Sequence, residues 1–155
     1  MKAVVQRVKN ARVSVDGNTT GKIGKGLLVY IGVARNDTEK DADWLTDKIV
    51  NLRIFSDEQD KMNLSIKDII AQGVNAGILA ISQFTLLGDC VKGRRPYYGE
   101  AADPPVAEPF YQLIMKKIRE QDIICEAGVF QAHMEVDSIN DGPVTIILDS
   151  ALKST

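Results

Sequence analysis

Short apolar stretches broken by glycine-rich turns fill the first 35 residues, and they predict strands joined by tight turns. Val4, Val8, Val13 and Val15 precede Asp16-Gly17, a hairpin signal, and Gly21, Gly24 and Gly26 follow it. Leu27 to Val33 (LLVYIGV) is a nearly continuous apolar run that suits a central strand. Thr38 and Asp41 resemble a weak capping box ahead of Trp44, Leu45, Ile49 and Leu52, which share one helical face. That helix is expected to give way to a strand at Leu52 to Phe55, then to a polar loop over Ser56 to Asn63. A short strand at Ile66 to Ala71 and a buried one over Ile78 to Leu87 follow.

Gly88 to Pro105 is long and irregular, and a segment of that kind in a compact domain usually has a binding role. A second helix is predicted over Val106 to Glu120, with Phe110, Leu113, Ile114 and Lys117 on one side and Ile118 extending it. In Phe130 to Ser138, the set Phe130, Ala132, Met134 and Val136 alternates with Gln131, His133, Glu135 and Asp137, the signature of a half-buried strand. Asn140-Asp141-Gly142-Pro143 reads as a turn, and Val144 to Leu148 as the strand that returns to the sheet. The expected fold class is α+β: a mostly antiparallel, curved or barrel-like sheet with two covering helices. Residues 1–150 form one domain, and 151–155 a short, frayed tail.

At 155 residues, 45% of them hydrophobic and 26% charged, the chain can build one soluble core. No apolar run approaches the roughly 18 residues that span a bilayer, so no membrane partner is expected. The N-terminal stretch is interrupted by Arg7, Lys9 and Arg12, which argues against a secretory signal. The two cysteines, Cys90 and Cys125, have neither metal-ligand spacing nor a disulfide framework. The chain is therefore expected in the cytoplasm. A net charge of −2 neither implies nor excludes a nucleic-acid partner, but the basic residues cluster at Lys2 to Arg12 and Lys92 to Arg95. Such local patches suffice for a protein that grips only the end of an RNA.

Familiar catalytic inventories come up thin. His133 is the single histidine, placed by the alternation on the wetter face of its strand. A His/Cys zinc site needs more ligands than this chain has, so neither metal nor cofactor is expected. Two segments break the pattern. Ser82-Gln83-Phe84-Thr85-Leu86, where an apolar strand ends, can offer backbone N–H groups to the charge that develops on a carbonyl oxygen. Thr85 is also a candidate nucleophile, although no base is identifiable beside it. Asn140-Asp141-Gly142-Pro143-Val144-Thr145 is either an ordinary β-turn or something more specialised.

SQFTL (82 to 86) and NDGPVT (140 to 145) resemble the two signature motifs of the D-aminoacyl-tRNA deacylase family. So do VVQRVKNARVSVDG (4 to 17), KGRRP (92 to 96), AADP (101 to 104) and the ending GPVTIIL. The resemblance spans essentially the whole chain. It implies a homodimer that hydrolyses the ester joining a D-amino acid, or glycine on a non-cognate tRNA, to the terminal adenosine of tRNA. By the same resemblance, Ser82, Gln83, Phe84 and Thr85 form the pocket wall, with the Phe84 and Thr85 amides at the ester. Gly142 and Pro143 match a Gly-cis-Pro element that enters the partner's pocket, and Arg7 matches the residue that orients it. Asn140, Val144 and Thr145 support that element. Phe130 and Met134 resemble residues around the adenosine, and the ribose 2′-OH is expected to assist the chemistry. Tyr97 and Tyr98 stand where many relatives carry Ser and Phe. Two other readings remain: a non-enzymatic RNA-end or protein-binding module on the same scaffold, and a Thr- or Cys-dependent hydrolase of small esters or peptides.

Overall fold

Residues 1–153 are described by a computed structural model. Strand β1 (Lys2–Val15) organises the sheet. Its second half pairs with β2 (Asn18–Ile23) and its first half with β3 (Gly26–Gly32), both antiparallel. The β1–β2 turn has two residues, Asp16 and Gly17, both at positive φ (49° and 77°). That is the turn geometry whose twist matches a hairpin. Along its other edge β1 pairs antiparallel with β8 (Glu135–Asp149). Beyond β3, strands β6 (Gly77–Ser82) and β7 (Ile124–Ala127) add in parallel, completing a six-stranded sheet.

The sheet curls until β2 approaches β7. A β-carbon on Gly21 would lie 2.6 Å from the Ala127 carbonyl oxygen, so this near-closure requires glycine. One face is covered by α1 (Glu39–Asn51) and α3 (Pro104–Arg119). Ala3, Val5, Leu27, Val29, Ile31, Ile78 and Ala80 bury against Leu45, Ile49, Ile114 and Ile118 there. The opposite residues of the same strands, including Val8, Val13, Leu28, Leu79 and Ile81, form a second core inside the curl.

Several expectations need correction. Ile66–Ala71 is a short helix, α2, not a strand. Ser65 caps it, its hydroxyl accepting from the Asp68 amide while the Asp68 carboxylate accepts from the Ser65 amide. That reciprocal cap outweighs the β-preference of three isoleucines, and Ile66 and Ile69 bury one turn apart. Ser56 to Asn63 is not simply a loop. Strands β4 (Phe55–Ser56) and β5 (Met62–Leu64) form a hairpin, folded around an Asp57 carboxylate that accepts from the Gln59 and Lys61 amides. The predicted strand at Leu52 to Phe55 shrinks to that β4 strand. In α3 the buried face is Tyr111, Ile114, Met115 and Ile118, whereas Lys117 ion-pairs with Asp43 at 2.7 Å.

Residues 130 to 134 are not strand either. The Ala132 amide turns back to the Val129 carbonyl, Gln131 takes φ 61°, and β8 begins only at Glu135. Nor does the chain reverse at 140 to 143. It stays in β8 and bulges: Val8 pairs with Asn140 and Gln6 with Thr145, so four residues loop out opposite one. In the expected tail, Ser150–Leu152 form a 3₁₀ turn and the Lys153 amine binds Asp41 at 2.7 Å. The remainder of that tail, 154 and 155, lies outside the described residues.

Candidate active site

Where β3 and β6 end, a cavity of about 590 Å³ opens between the β6 terminus, the 98–104 loop and the 130–136 segment. Its wall is built by a change of backbone geometry. After Ser82 the chain leaves the sheet, the Gln83 amide makes a last 2.7 Å bond to the Ile31 carbonyl, and Phe84–Leu87 winds into a 3₁₀ turn. The first amides of a helical turn have no partner within it. Those of Phe84 and Thr85 find none in the rest of the described chain.

Ser82, Gln83 and Phe84 line the cavity, and Phe130 and Met134 line it from the other side. Thr85 follows just outside the lining, and its hydroxyl accepts a hydrogen bond from the Gln83 side chain. Phe84 stays half exposed, with the Tyr98 ring edge-on at 5.1 Å. Beneath the cavity, buried Tyr111 donates to the Ala80 carbonyl at 2.8 Å and packs against Phe130. Burial pushes its phenol well above the usual range.

Sequence reasoning gave no role to Arg35 or Gln131 and named Ala102 and Asp103 only as part of the AADP motif, because four separate chain segments supply this lining. It also placed His133 on a wet strand face. His133 is exposed, but the turn at 130 to 134 brings it to the cavity alongside Phe130 and Met134. The basic segment Lys92 to Arg95 is fully solvent-facing.

The second predicted cluster forms a separate structure, because none of residues 140 to 145 is in the cavity lining. It is the bulge in β8. The Asn140 side chain closes the base, accepting from the Val144 amide (3.2 Å) and donating to the Thr145 hydroxyl (3.0 Å). Gln6, which sequence reasoning did not select, donates to the same hydroxyl from β1. The Arg7 guanidinium spans two elements, with Nη1 donating to the Ile54 carbonyl (2.6 Å) and Nε to the Asp141 carbonyl (3.1 Å). At the tip, Gly142 takes φ 130°, the Gly142-Pro143 peptide is cis, and both residues face solvent. A methyl group on Gly142 would meet Val144 at 2.9 Å and Arg7 at 3.1 Å.

Comparisons with known proteins agree with this architecture. A family model described as D-Tyr-tRNA(Tyr) deacylase matches residues 4–149. The chain is 57% identical over 150 residues to a D-aminoacyl-tRNA deacylase of Halothermothrix orenii, covering 97% of each chain. It is 52% identical over 155 residues to one of Geobacter sulfurreducens, covering all of this chain and 99% of that one. Among solved structures, a c-Myc DNA Unwinding Element Binding Protein superposes with TM-score 0.87 at 40% identity, over 96% of this chain and 98% of that one. A probable eukaryotic D-amino acid tRNA deacylase shares the fold at TM-score 0.80 and 16% identity, over 95% and 97%. With both signature segments in place and a family match over nearly its whole length, the chain belongs to the D-Tyr-tRNA(Tyr) deacylase family, the D-aminoacyl-tRNA deacylases.

Proposed function

We propose that this chain, acting as a homodimer in the cytoplasm, hydrolyses the ester between a D-amino acid and the terminal adenosine of tRNA. Glycine mischarged on alanine tRNA is a further substrate. The observation that carries this reading is the pair of unpartnered amides at Phe84 and Thr85 on the rim of a cavity large enough for an aminoacyl-nucleoside. Fixed N–H dipoles of this kind stabilise the oxyanion that forms when water adds to an ester carbonyl.

In this reading no side chain activates the water, and His133 and Asp103, which line the cavity, are left out of the chemistry. The Thr85 hydroxyl is engaged by Gln83, and His133 is the chain's only histidine. The ribose 2′-OH of the substrate, fixed beside the scissile ester, orients the attack. Water oxygen bonds to the carbonyl carbon, the carbonyl carbon's bond to the ribose oxygen breaks, that oxygen takes up one of the water's protons, and the other passes to solvent. The amino acid leaves as its carboxylate.

Chiral rejection needs a wall that the isolated subunit does not supply. The Gly142-Pro143 tip lies off its own cavity, so the loop of a second copy fills that role in this reading. A dimerisation face is available. On the sheet face opposite the helices, Ile147, Val4, Tyr30 and Ile81 stand side by side on four neighbouring strands. Ile147 is 75% exposed, and Ile81 belongs to the cavity wall, so an apolar row leads from the open face to the site. A copy laid on that row brings its rigid loop against the substrate α-carbon. An L side chain would collide there, whereas a hydrogen or a D side chain escapes.

Likeness to a c-Myc DNA Unwinding Element Binding Protein favours one second reading, a nucleic-acid-binding module without catalysis. Purified protein incubated with matched D-aminoacyl-, glycyl- and L-aminoacyl-tRNA decides between them. Release of D-amino acid and glycine with L-aminoacyl-tRNA left intact supports the hydrolase. Binding without release of any amino acid leaves the module.

A further inference from the structure

Among the described residues, Arg35 is the only lysine or arginine in the cavity lining, and nothing in the sequence patterns marks it. Its backbone is firmly mounted. Ala34 bridges to Ala101, the Arg35 amide donates to the Glu100 carbonyl at 3.0 Å, and the Ala102 amide donates to the Val33 carbonyl at 2.9 Å. The Asp37 carboxylate holds the Ala34 amide from below at 2.6 Å. The side chain is aimed as well, since Nε donates to the Ala101 carbonyl at 3.3 Å. Among the described residues, neither Nη atom has a hydrogen-bond partner, and no carboxylate ion-pairs with the guanidinium. Asp103 lines the same cavity and stays outside ion-pairing distance.

An exposed arginine with no neighbour to neutralise it, tethered by one nitrogen, is a fork held ready for an anion. An aminoacylated RNA end brings one. Once the terminal nucleoside enters the cavity, the polymer has to leave through the rim, and its first group outside the nucleoside is the 5′-phosphate. We infer that Arg35 binds the phosphate on the 5′ side of the terminal nucleotide and so fixes the direction in which the RNA leaves the cavity. This subsite rests on the proposed reading of the cavity as an aminoacyl-nucleotide site. The Lys92 to Arg95 segment lies outside the lining and is left for phosphates further along the strand.

The test uses non-hydrolysable 3′-amide-linked D-alanyl-adenosine, made with a free 5′-hydroxyl or with a 5′-methylphosphodiester, and titrated calorimetrically into dimeric protein. For the wild type, the phosphodiester should tighten binding about tenfold, the scale of a charge-assisted contact. For Arg35→Ala the two analogues should bind alike within about twofold, because the contact is gone. An equal gain from phosphate in both proteins overturns the subsite. No gain in the wild type, with D-aminoacyl-tRNA still hydrolysed, overturns the subsite and leaves the hydrolase reading intact. If the wild type binds neither analogue and hydrolyses no D-aminoacyl-tRNA, both readings fall together.

Discussion

The cavity and the β8 bulge are held together by opposite means. The cavity is a product of backbone geometry and apolar packing, gathered from four distant segments around a strand end, with two amides left free. The bulge is one local stretch pinned by side chains, with Arg7, Asn140 and Gln6 supplying the hydrogen bonds that its missing ladder pairs would have made. Each is incomplete by itself. In the proposed reading the cavity lacks a wall beside the substrate α-carbon, and the bulge presents its tip to solvent. The proposed function gives them complementary roles, a receptor on one subunit and a stop on the other.

The most damaging change should be Arg7→Ala. It strands the Ile54 and Asp141 carbonyls and frees the bulge, while every cavity residue stays in place. Deacylation of D-aminoacyl-tRNA should fall about 10²-fold, the penalty expected when a positioning group shifts by an ångström. Arg7→Lys should fare nearly as badly, because an ammonium cannot satisfy two carbonyls from one planar fork. Single-turnover rates with thermal melts separate this loss from unfolding. Activity within threefold of wild type would mean the bulge plays no part.

Gly142→Ala should follow, with a loss on the order of tenfold. The new methyl group meets Val144 and Arg7, and the φ of 130° is one that side chains with a β-carbon rarely adopt. Rates on D- and L-aminoacyl-tRNA, measured together, show whether rejection weakens along with turnover. An unchanged D/L ratio would take the tip away from the substrate.

On the cavity side, Thr85→Ala should cost no more than a few-fold, because the amide and not the hydroxyl is assigned to the chemistry. A loss of about 10⁴-fold with the fold intact would instead identify a side-chain nucleophile.

How much of this was legible in the sequence follows from the same contrast. The bulge is contiguous, so NDGPVT announced it, and Arg7 sits in a recognisable stretch. Even so, it was read as a chain reversal, because glycine and proline signal a turn but not whether strand pairing resumes in the same direction. The SQFTL segment was equally visible, since an apolar run ends there. Arg35 was not, and Tyr98 and Asp103 were noted without a role in the cavity, because only the parallel β3–β6 pairing and the 33–35 to 100–102 contacts bring them together. Period-2 alternation also misled at Phe130 to Met134. There a turn, not a strand, sends polar Gln131 and His133 and apolar Phe130 and Met134 to one cavity. The Ser65–Asp68 cap was readable from spacing, but three isoleucines drew the prediction towards a strand.

The smallest effect should fall on neither region. Burial disfavours the Asp41 carboxylate, yet hydrogen bonds from Lys153, Thr38 and Ser150 outweigh it and hold its pKa well below the ordinary value of 3.8. A depressed carboxyl stabilises the fold above that ordinary value, and its contribution drains away as the pH falls below it. Asp41→Asn should therefore lower stability at neutral pH by about 1 kcal/mol, a typical helix-cap loss, and leave deacylation unchanged. The gap between variant and wild type should close in acid denaturation profiles. A gap that persists into strong acid would assign the loss to packing.

Subunit mixing tests the central claim most directly. Ala132→Trp fills the cavity of one subunit, and Gly142→Ala combined with Arg7→Ala disables the bulge of the other. Each homodimer alone should be inactive on D-aminoacyl-tRNA. In a co-expressed, doubly tagged heterodimer, the intact cavity of one subunit meets the intact bulge of its partner, and close to half the wild-type activity should return. If each bulge served its own subunit's cavity, every site in that heterodimer would carry a defect and activity would stay at the homodimer background.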